Sequence, residues 1–447
     1  MAARQKIFVL FGLFFLSTFP TNQLKAQTLF QQVGIASSPN PVGSGARAVG
    51  MGGAFIAVAD DATAASWNPA GLIQLERPEM SIVGEYFYRK DKFSSDDRPE
   101  INNTSTIDGF DLNYLSATYP FRFYKNIVAS INYQRLFDFK RNFSHRLDFS
   151  SAGLDFVQDK SFDQDGFLGA LGIACAVEIT PRLSLGVTFN IWPGDAIWEN
   201  GWTEKFTEHG VGTLAGSSQT IDAKISDKYS DFTGFNANIG LLWDISKHFT
   251  LGAVVKTPFT ATADHKFKFE QVQTFGPPLN TTITSQQKVT ENVDIDMPLS
   301  YGFGLAFRAS DTLTFDLDVF RTDWSDFTLK DSQGNKFSPI DGRPANKSHV
   351  EDTTQIRLGG EYLFIWEARK IVVPFRVGAF YDPEPAEDNV KDFFGIAVGS
   401  GIAHKWFIFD VAYQLRWSKD VDTGNLIATS EADVYQHNIL ASVIVHF

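Results

Sequence analysis

The last thirteen residues, Tyr435-Gln436-His437-Asn438-Ile439-Leu440-Ala441-Ser442-Val443-Ile444-Val445-His446-Phe447, alternate between two kinds of side chain. Tyr435, His437, Ile439, Ala441, Val443, Val445 and Phe447 share one face, and Gln436, Asn438, Leu440, Ser442, Ile444 and His446 share the other. A β-strand projects successive side chains to opposite sides, so this segment has one greasy face and one more polar face. Upstream segments repeat the pattern. Phe235, Ala237, Ile239, Leu241 and Trp243 oppose Asn236, Asn238 and Asp244. Leu313, Phe315, Leu317 and Val319 oppose Thr314, Asp316 and Asp318. Phe407, Phe409, Val411, Tyr413, Leu415 and Trp417 oppose Asp410, Gln414 and Arg416. Trp243, Tyr362, Tyr381 and Trp417 lie near segment ends, where aromatic girdles meet a water–lipid boundary.

Working back from the carboxyl end, alternation predicts fourteen strands. They run over 78–90, 109–120, 126–140, 165–179, 183–192, 232–245, 249–272, 286–309, 312–322, 353–364, 371–381, 393–404, 405–416 and 435–447. Their connections sort by length. Phe121–Lys125, Thr180–Arg182, Ser246–Lys247, Ala309–Asp311, Ile365–Lys370 and the His404–Lys405 junction are tight. Those over 91–108, 141–164, 193–231, 273–285, 323–352, 382–392 and 417–434 are long. A soluble sandwich also alternates, but it has no reason to sort its loops by parity. A transmembrane barrel does, with short periplasmic turns and long extracellular loops. In lipid every backbone amide needs an internal partner, so the sheet must close on itself. The expected fold is all-β: a fourteen-stranded antiparallel transmembrane β-barrel over 77–447 with an N-terminal hatch in its lumen.

Composition agrees with strands and turns. Of 447 residues 14% are aromatic, 42 of them Phe, and 35 are Gly. Average apolarity betrays nothing, because 43% of residues are hydrophobic and the mean hydropathy is −0.12. The net charge of −13 excludes a nucleic-acid partner, whose phosphates need a basic face. A single cysteine, Cys175, excludes an internal disulfide and a multi-cysteine metal cage. Arg4 and Lys6 precede the apolar run Ile7 to Phe19, and Leu24-Lys25-Ala26 follows. That reads as a signal peptide over 1–26, its apolar run short of the roughly 20 residues a spanning helix needs. The expected location is the bacterial outer membrane.

Residues 27–76 break the alternation. Gly43-Ser44-Gly45-Ala46-Arg47-Ala48-Val49-Gly50-Met51-Gly52-Gly53-Ala54-Phe55 is followed by Ala57-Val58-Ala59-Asp60-Asp61-Ala62-Thr63 and Trp67-Asn68-Pro69-Ala70-Gly71-Leu72. Small residues let backbones approach closely and Pro69 forces a turn, which suits a hatch for a lumen wider than side chains fill. A phosphate-cradling loop is a poor alternative, since the preceding strand, following helix and Lys-Ser/Thr partner are missing. These motifs resemble the FadL/TodX family of outer-membrane transporters for long-chain fatty acids and aromatic hydrocarbons. Ala46-Arg47 to Gly53, Ala59-Asp60-Asp61-Ala62 and Asn68-Pro69-Ala70 carry the resemblance. Met297-Pro298, Thr322-Asp323-Trp324-Ser325-Asp326-Phe327, Asp352-Thr353 and Arg357-Leu358-Gly359 extend it. The resemblance implies a fourteen-stranded barrel with a hatch, capture between the third and fourth extracellular loops, and lateral exit at a kink in the third strand. Ile127 to Phe139 holds neither Gly nor Pro, so no kink is predicted there.

Candidate site residues fall into three groups. Trp192, Ile197, Trp198, Trp202 and Phe206 crowd one long connection, with Phe259 opposite; so much apolar surface in a loop marks an interaction site, here substrate capture, or a loop packed as a lid. Alternation points Lys256, Arg308, Arg357, Arg376 and Arg416 into the lumen, where each is either a carboxylate head-group ligand or the structural partner of Asp244, Asp316, Asp318, Glu361 or Asp410. In the hatch, Arg47, Asp60 and Asp61 stand ready to pair, and Asn68-Pro69-Ala70 is the expected release element. A ten-methylene tail gains about 8 kcal/mol on burial, so release needs such an element. The expected function is import of hydrophobic compounds such as long-chain fatty acids; the alternative is a related barrel serving as scaffold for secretion or surface attachment. Scattered histidines and the lack of a serine elbow or metal spacing point to no enzyme, no cofactor and no metal. Expected partners are a hydrophobic small molecule and the surrounding outer-membrane lipid and lipopolysaccharide, with the chain a monomer.

Overall fold

The alternating segments pair into one closed antiparallel sheet. The structure, a computed structural model, describes residues 43–122, 125–151, 153–214, 216–386, 390–422 and 430–447. In chain order the strands are β1 (Glu79–Ser94), β2 (Thr104–Arg122), β3 (Asn126–Asp138), β4 (Arg141–Ser151), β5 (Leu154–Thr180), β6 (Leu183–Pro193) and β7 (Gly201–Leu214). They continue as β8 (Ser217–Asp244), β9 (Phe249–Lys256), β10 (Phe259–Phe275), β11 (Thr281–Met297), β12 (Ser300–Ser310), β13 (Leu313–Thr322), β14 (Thr328–Lys330) and β15 (Lys336–Phe337). The remainder are β16 (Thr353–Trp366), β17 (Ile371–Tyr381), β18 (Phe394–His404), β19 (Phe407–Asp422) and β20 (Glu431–His446). The ring runs β1, β2, β3, β5, β6, β8, β9, β12, β13, β16, β17, β18, β19, β20. It closes where β1 pairs with β20 from Glu79↔His446 to Ser94↔Glu431. That is the fourteen-stranded barrel, and each predicted strand lies on one of its paths.

The greasy face of each strand points out. Ile131, Phe235, Ile239, Phe303, Leu317, Leu358, Val377, Ile396 and Ile439 are exposed around the circumference, while Asn132, Asn238, Asp316, Asp318, Arg357, Asp410 and Ser442 are buried toward the lumen. Among the described residues no helix is long and apolar enough to cross a membrane. The barrel crosses with strands.

Three of the predicted long connections are corrected. Residues 141–164, 193–231 and 273–285 are mostly strand: β5 and β8 run on for 27 and 28 residues, well beyond the roughly ten a bilayer needs. Above the membrane band β4, β5, β7, β8, β10 and β11 pair in that order. These strands turn their apolar residues inward, as at Phe143, Leu147, Phe156, Ile221 and Ile225, and their polar residues outward, the reverse of the lipid-facing pattern, which hid them from the sequence. Four wall paths are interrupted at one level: β3/β4 at 139–140, β6/β7 at 194–200, β9/β10 at Thr257-Pro258 and β11/β12 at Pro298-Leu299. A proline has no N–H for the ladder, which accounts for the last two.

The predicted hatch 27–76 is described from residue 43; its residues 27–42, like the signal peptide, lie outside the described residues. The described part is buried inside the barrel and runs around its wall. A short helix, α1 (Ala46–Gly50), lies against β17, β18, β19 and β20, and the 3-10 turn Pro69–Gln74 against β3, β5, β6 and β8. Between them, wall glycines let the hatch backbone come close: a Cβ on Gly359 would stand 2.5 Å from the Met51 carbonyl oxygen, and one on Gly378 2.2 Å from the Gly52 nitrogen. No side chain fits there.

Candidate functional site: an aromatic chamber above a latched hatch

Ion pairs fasten the hatch to the wall. Arg47 reaches Asp60 within the hatch and Glu361 on β16, at 3.0 Å, with Asp61 at 3.9 Å. Glu361 in turn accepts from Arg376 (2.6 Å), whose other arm meets Asp410 (2.6 Å). Arg357 donates to the Gly52 carbonyl (2.9 Å), and Asp318 accepts from the Phe55 and Ile56 amides (2.7 and 2.9 Å). Asn68 donates to the carbonyls of Ile56 and Leu241, both 2.9 Å, and its own oxygen caps the turn at Ala70. Ser184, Thr188 and Tyr114 of the wall donate to the carbonyls of Ala70, Ala65 and Ala62. Small residues leave their backbone groups bare, and the wall supplies the partners those buried groups require.

The five lumen cations therefore part company. Arg357 and Arg376 hold the hatch. Arg416 is spent on Asp382 (3.0 Å), Glu384 (2.8 Å) and Gln436 (2.8 Å). Arg308 lies beside the short turn to β13. Lys256 lines a cavity, and Arg308 is not among the residues that line it.

That cavity, about 50 Å³, sits at the level where the wall strands break. Leu136, Phe137, Trp192, Phe259, Met297 and Trp324 form its apolar side, and Gln134, Asn190, Asn236, Asn238 and Lys256 its polar side. The amides bond to one another, Gln134 to Asn190 at 2.8 Å and Asn190 to Asn238 at 3.2 Å, while the Trp192 indole donates to Asn236 at 3.1 Å. Lys256 stands 5.6 Å from the Phe320 ring. Above, rings stack across four strand paths: Phe139 on Trp202 (4.6 Å), Trp202 on Tyr229 (4.5 Å), Tyr229 on His265 (4.5 Å). The connection 323–352 folds over this stack, burying Trp324, Phe327, Leu329 and Val350 with it.

The capture residues thus split. Trp192 and Phe259 stack at 5.5 Å inside the chamber, and Trp202 is buried in the ring column. Trp198 packs edge-on against Tyr133 of the outer face at 4.9 Å, with Ile197 exposed beside it. Phe206 lies on β7, half-buried opposite Phe162. They form no single loop surface. Phe137, Phe139, Tyr229, Phe232 and Trp324 were missed; the Pro258 and Pro298 breaks are the signal in sequence that marks their level.

Beside the chamber the wall has a seam. β2 pairs with β3 only up to Tyr114↔Gln134; above it, residues 104–113 of β2 have their strand pairing with β1 alone. A bulge between Arg135 and Phe137 turns β3 aside, so the regular third strand expected from the absence of Gly and Pro is corrected. Side chains bridge the seam: Asp111 with Arg135 (3.1 Å) and Lys140 (2.6 Å), and Ser105 with the Asn142 carbonyl (2.6 Å).

Comparison with known proteins fits this architecture. Residues 39–438 match the family described as outer membrane protein transport protein (OMPP1/FadL/TodX). A Pseudomonas aeruginosa FadL homologue superposes with a TM-score of 0.58 at 13% identity, covering 91% of this chain and 98% of that one. The Pseudomonas putida toluene transporter TodX gives 0.55 at 12% identity, covering 91% and 100%. A search of curated proteins finds no match. At such identities the structures establish the fold, and the match across most of the chain establishes the family. The chain belongs to the FadL/TodX family of bacterial outer-membrane proteins, non-enzymatic channels that transport hydrophobic compounds.

Proposed function

We propose that this protein imports amphiphiles of the long-chain fatty-acid type, captured under the 323–352 lid, held in the chamber and released sideways. The observation that carries the reading is a chamber with aromatic walls and a single cation, Lys256, at its polar edge. Apolar tail and anionic head each find a matching surface there. The cavity is about a third of the 150 Å³ that accommodates benzene, so a ligand has to spread it, with Trp324 and the lid as the movable wall.

Two exits compete. Hatch movement at Asn68-Pro69-Ala70, expected from the sequence, breaks the buried neutral bonds of Asn68 to the Ile56 and Leu241 carbonyls and of Ser184 to the Ala70 carbonyl, each worth about 0.5–1.5 kcal/mol. Displacing the rest of the hatch also breaks the charge-assisted bonds of Arg47, Arg357 and Asp318, each worth about 1.5–3 kcal/mol. The seam is held by side-chain contacts alone, the Asp111 pairs with Arg135 and Lys140 and the Ser105 bond to Asn142, with no backbone ladder between β2 and β3 above Tyr114. That difference supports the seam, with the hatch as a fixed floor.

Uptake of labelled fatty acid tests both. In a Cys175→Ser background, a disulfide between Ser105→Cys and Asn142→Cys locks the seam, and one between Ala70→Cys and Ser184→Cys locks the hatch. The seam lock should stop uptake until reduced, and the hatch lock should leave it intact; the opposite pattern restores hatch release. Lys256→Met should weaken carboxylate binding by about 10- to 100-fold and leave a hydrocarbon unaffected. Equal loss for both ligands would remove Lys256 from the head-group role.

A further inference from the structure

The outward face of the extracellular sheet carries a charge pattern that the transport path does not use. Alternation on β7, β8, β10 and β11 places Lys205, Lys224, Lys228, Lys266, Lys268 and Lys288 on that face, all but Lys228 exposed. In register they occupy three consecutive rungs: Lys228↔Lys266, then Lys205↔Ser226↔Lys268↔Lys288, then Lys224↔Glu270. Two of these are lysines directly opposite lysines. Such pairs hold Cβ atoms about 5 Å apart and destabilise a sheet unless something neutralises them. An acid meets the first of these pairs on one side, at Lys228, and among the described residues none meets the second. Glu199 pairs with Lys228 at 2.5 Å, Glu270 faces Lys224 and Asp163 faces Lys205. Lys266, Lys268 and Lys288 have no carboxylate within 4.0 Å among the described residues. All this stands on a chain of net charge −13.

The height of the patch identifies its partner. On β8, Phe235 faces lipid, and Lys228 is seven residues further from the membrane. That is about 23 Å of strand, or about 18 Å along the membrane normal at a tilt of about 40°. The phosphorylated saccharide of the outer leaflet occupies this layer. We propose that the outward face of β8, β10 and β11, at Lys228, Lys266, Lys268 and Lys288, docks the phosphorylated head of lipopolysaccharide. Two ammonium groups across a rung flank one phosphate, and the second lysine pair, one strand over and one rung up, receives the next. The inference rests on placement in the outer membrane and is independent of the compound transported.

The test uses the full chain in non-ionic detergent, titrated with rough lipopolysaccharide and with the same material after chemical dephosphorylation. The wild type should prefer the phosphorylated form by about 100-fold, with affinity falling as salt rises. Combined Lys→Gln changes at 228, 266, 268 and 288 should abolish that preference, while Lys→Arg changes at the same positions keep it. Both variants should retain heat-modifiable mobility and fatty-acid uptake. Equal binding of the two lipopolysaccharides by wild type, or an unchanged preference in the glutamine variant, overturns the proposal. So does full displacement of lipopolysaccharide by millimolar inorganic phosphate, and so does loss of uptake with phosphate preference intact.

Discussion

Gly359 and Gly360 sit side by side on β16 and offer a matched pair of perturbations. Gly359 faces the lumen opposite Gly378, and a Cβ there would stand 2.5 Å from the Met51 carbonyl oxygen and 2.9 Å from the Met51 Cβ. Gly360 faces outward, and its Cβ would meet the Phe315 ring at an ordinary 3.4 Å. Gly359→Ala therefore has to push the hatch inward by about 1 Å, an overpacking strain of about 1–3 kcal/mol. The shift also lengthens the 2.9 Å bond from Arg357 to the Gly52 carbonyl, a buried charged hydrogen bond worth about 1.5–3 kcal/mol. Together these amount to about 2.5–6 kcal/mol. Gly360→Ala should be neutral or stabilising by up to about 1 kcal/mol, because alanine restricts the unfolded chain. Urea unfolding of the detergent-solubilised barrels, followed by heat-modifiable mobility, measures the difference. Planar-bilayer conductance and proteolysis of the hatch show whether the seal loosens. Coincident unfolding midpoints and an equally closed, protease-resistant hatch in both variants would refute the claim that wall glycines seat it.

Two other outcomes are expected. Arg376→Ala leaves the Glu361 and Asp410 carboxylates without their shared buried partner, so the barrel should lose about 3–5 kcal/mol in urea unfolding. Fatty-acid affinity lost at an unchanged unfolding midpoint would return Arg376 to the head-group ligands. In the extracellular strands, burial and the neighbouring Asp227 push Glu204 up to about 8, against the 2.8 Å bond from Gln164. Burial lowers His265, but the carboxylates of Asp227 and Glu291 outweigh it and raise it. Both groups hold protons in the folded state that the unfolded chain releases, so each contributes stability at low pH that is lost as pH rises toward the folded value. The extracellular sheet should accordingly resist proteolysis better at pH 5 than at pH 8.5. Glu204→Gln should flatten that dependence and gain most at the alkaline end; a parallel profile for the variant would dismiss Glu204 as its source.

Strand paths, their count and the lipid-facing side of each were legible in the amino-acid sequence. Alternation is a local property, written within each segment, and the parity of tight and long connections follows from chain order alone. Tyr435 to Phe447 shows this, with Ile439 turned to lipid and Leu440 and Ile444 inward as its period requires. The hatch was legible for a related reason, since a run of Gly and Ala cannot form its own core. Tertiary structure alone decided the site. Arg47 meets Glu361 across 314 residues of chain, and nothing within either segment names the other. Trp192 and Trp202, placed by sequence in a solvent-facing loop, went inside because strands broken at one level leave an apolar hollow that aromatic rings fill. The bulge at Arg135 to Phe137 was invisible for the same reason: there β3 stays paired with β5 on one side while β2 has parted from it on the other, an arrangement that exists only once the barrel has closed.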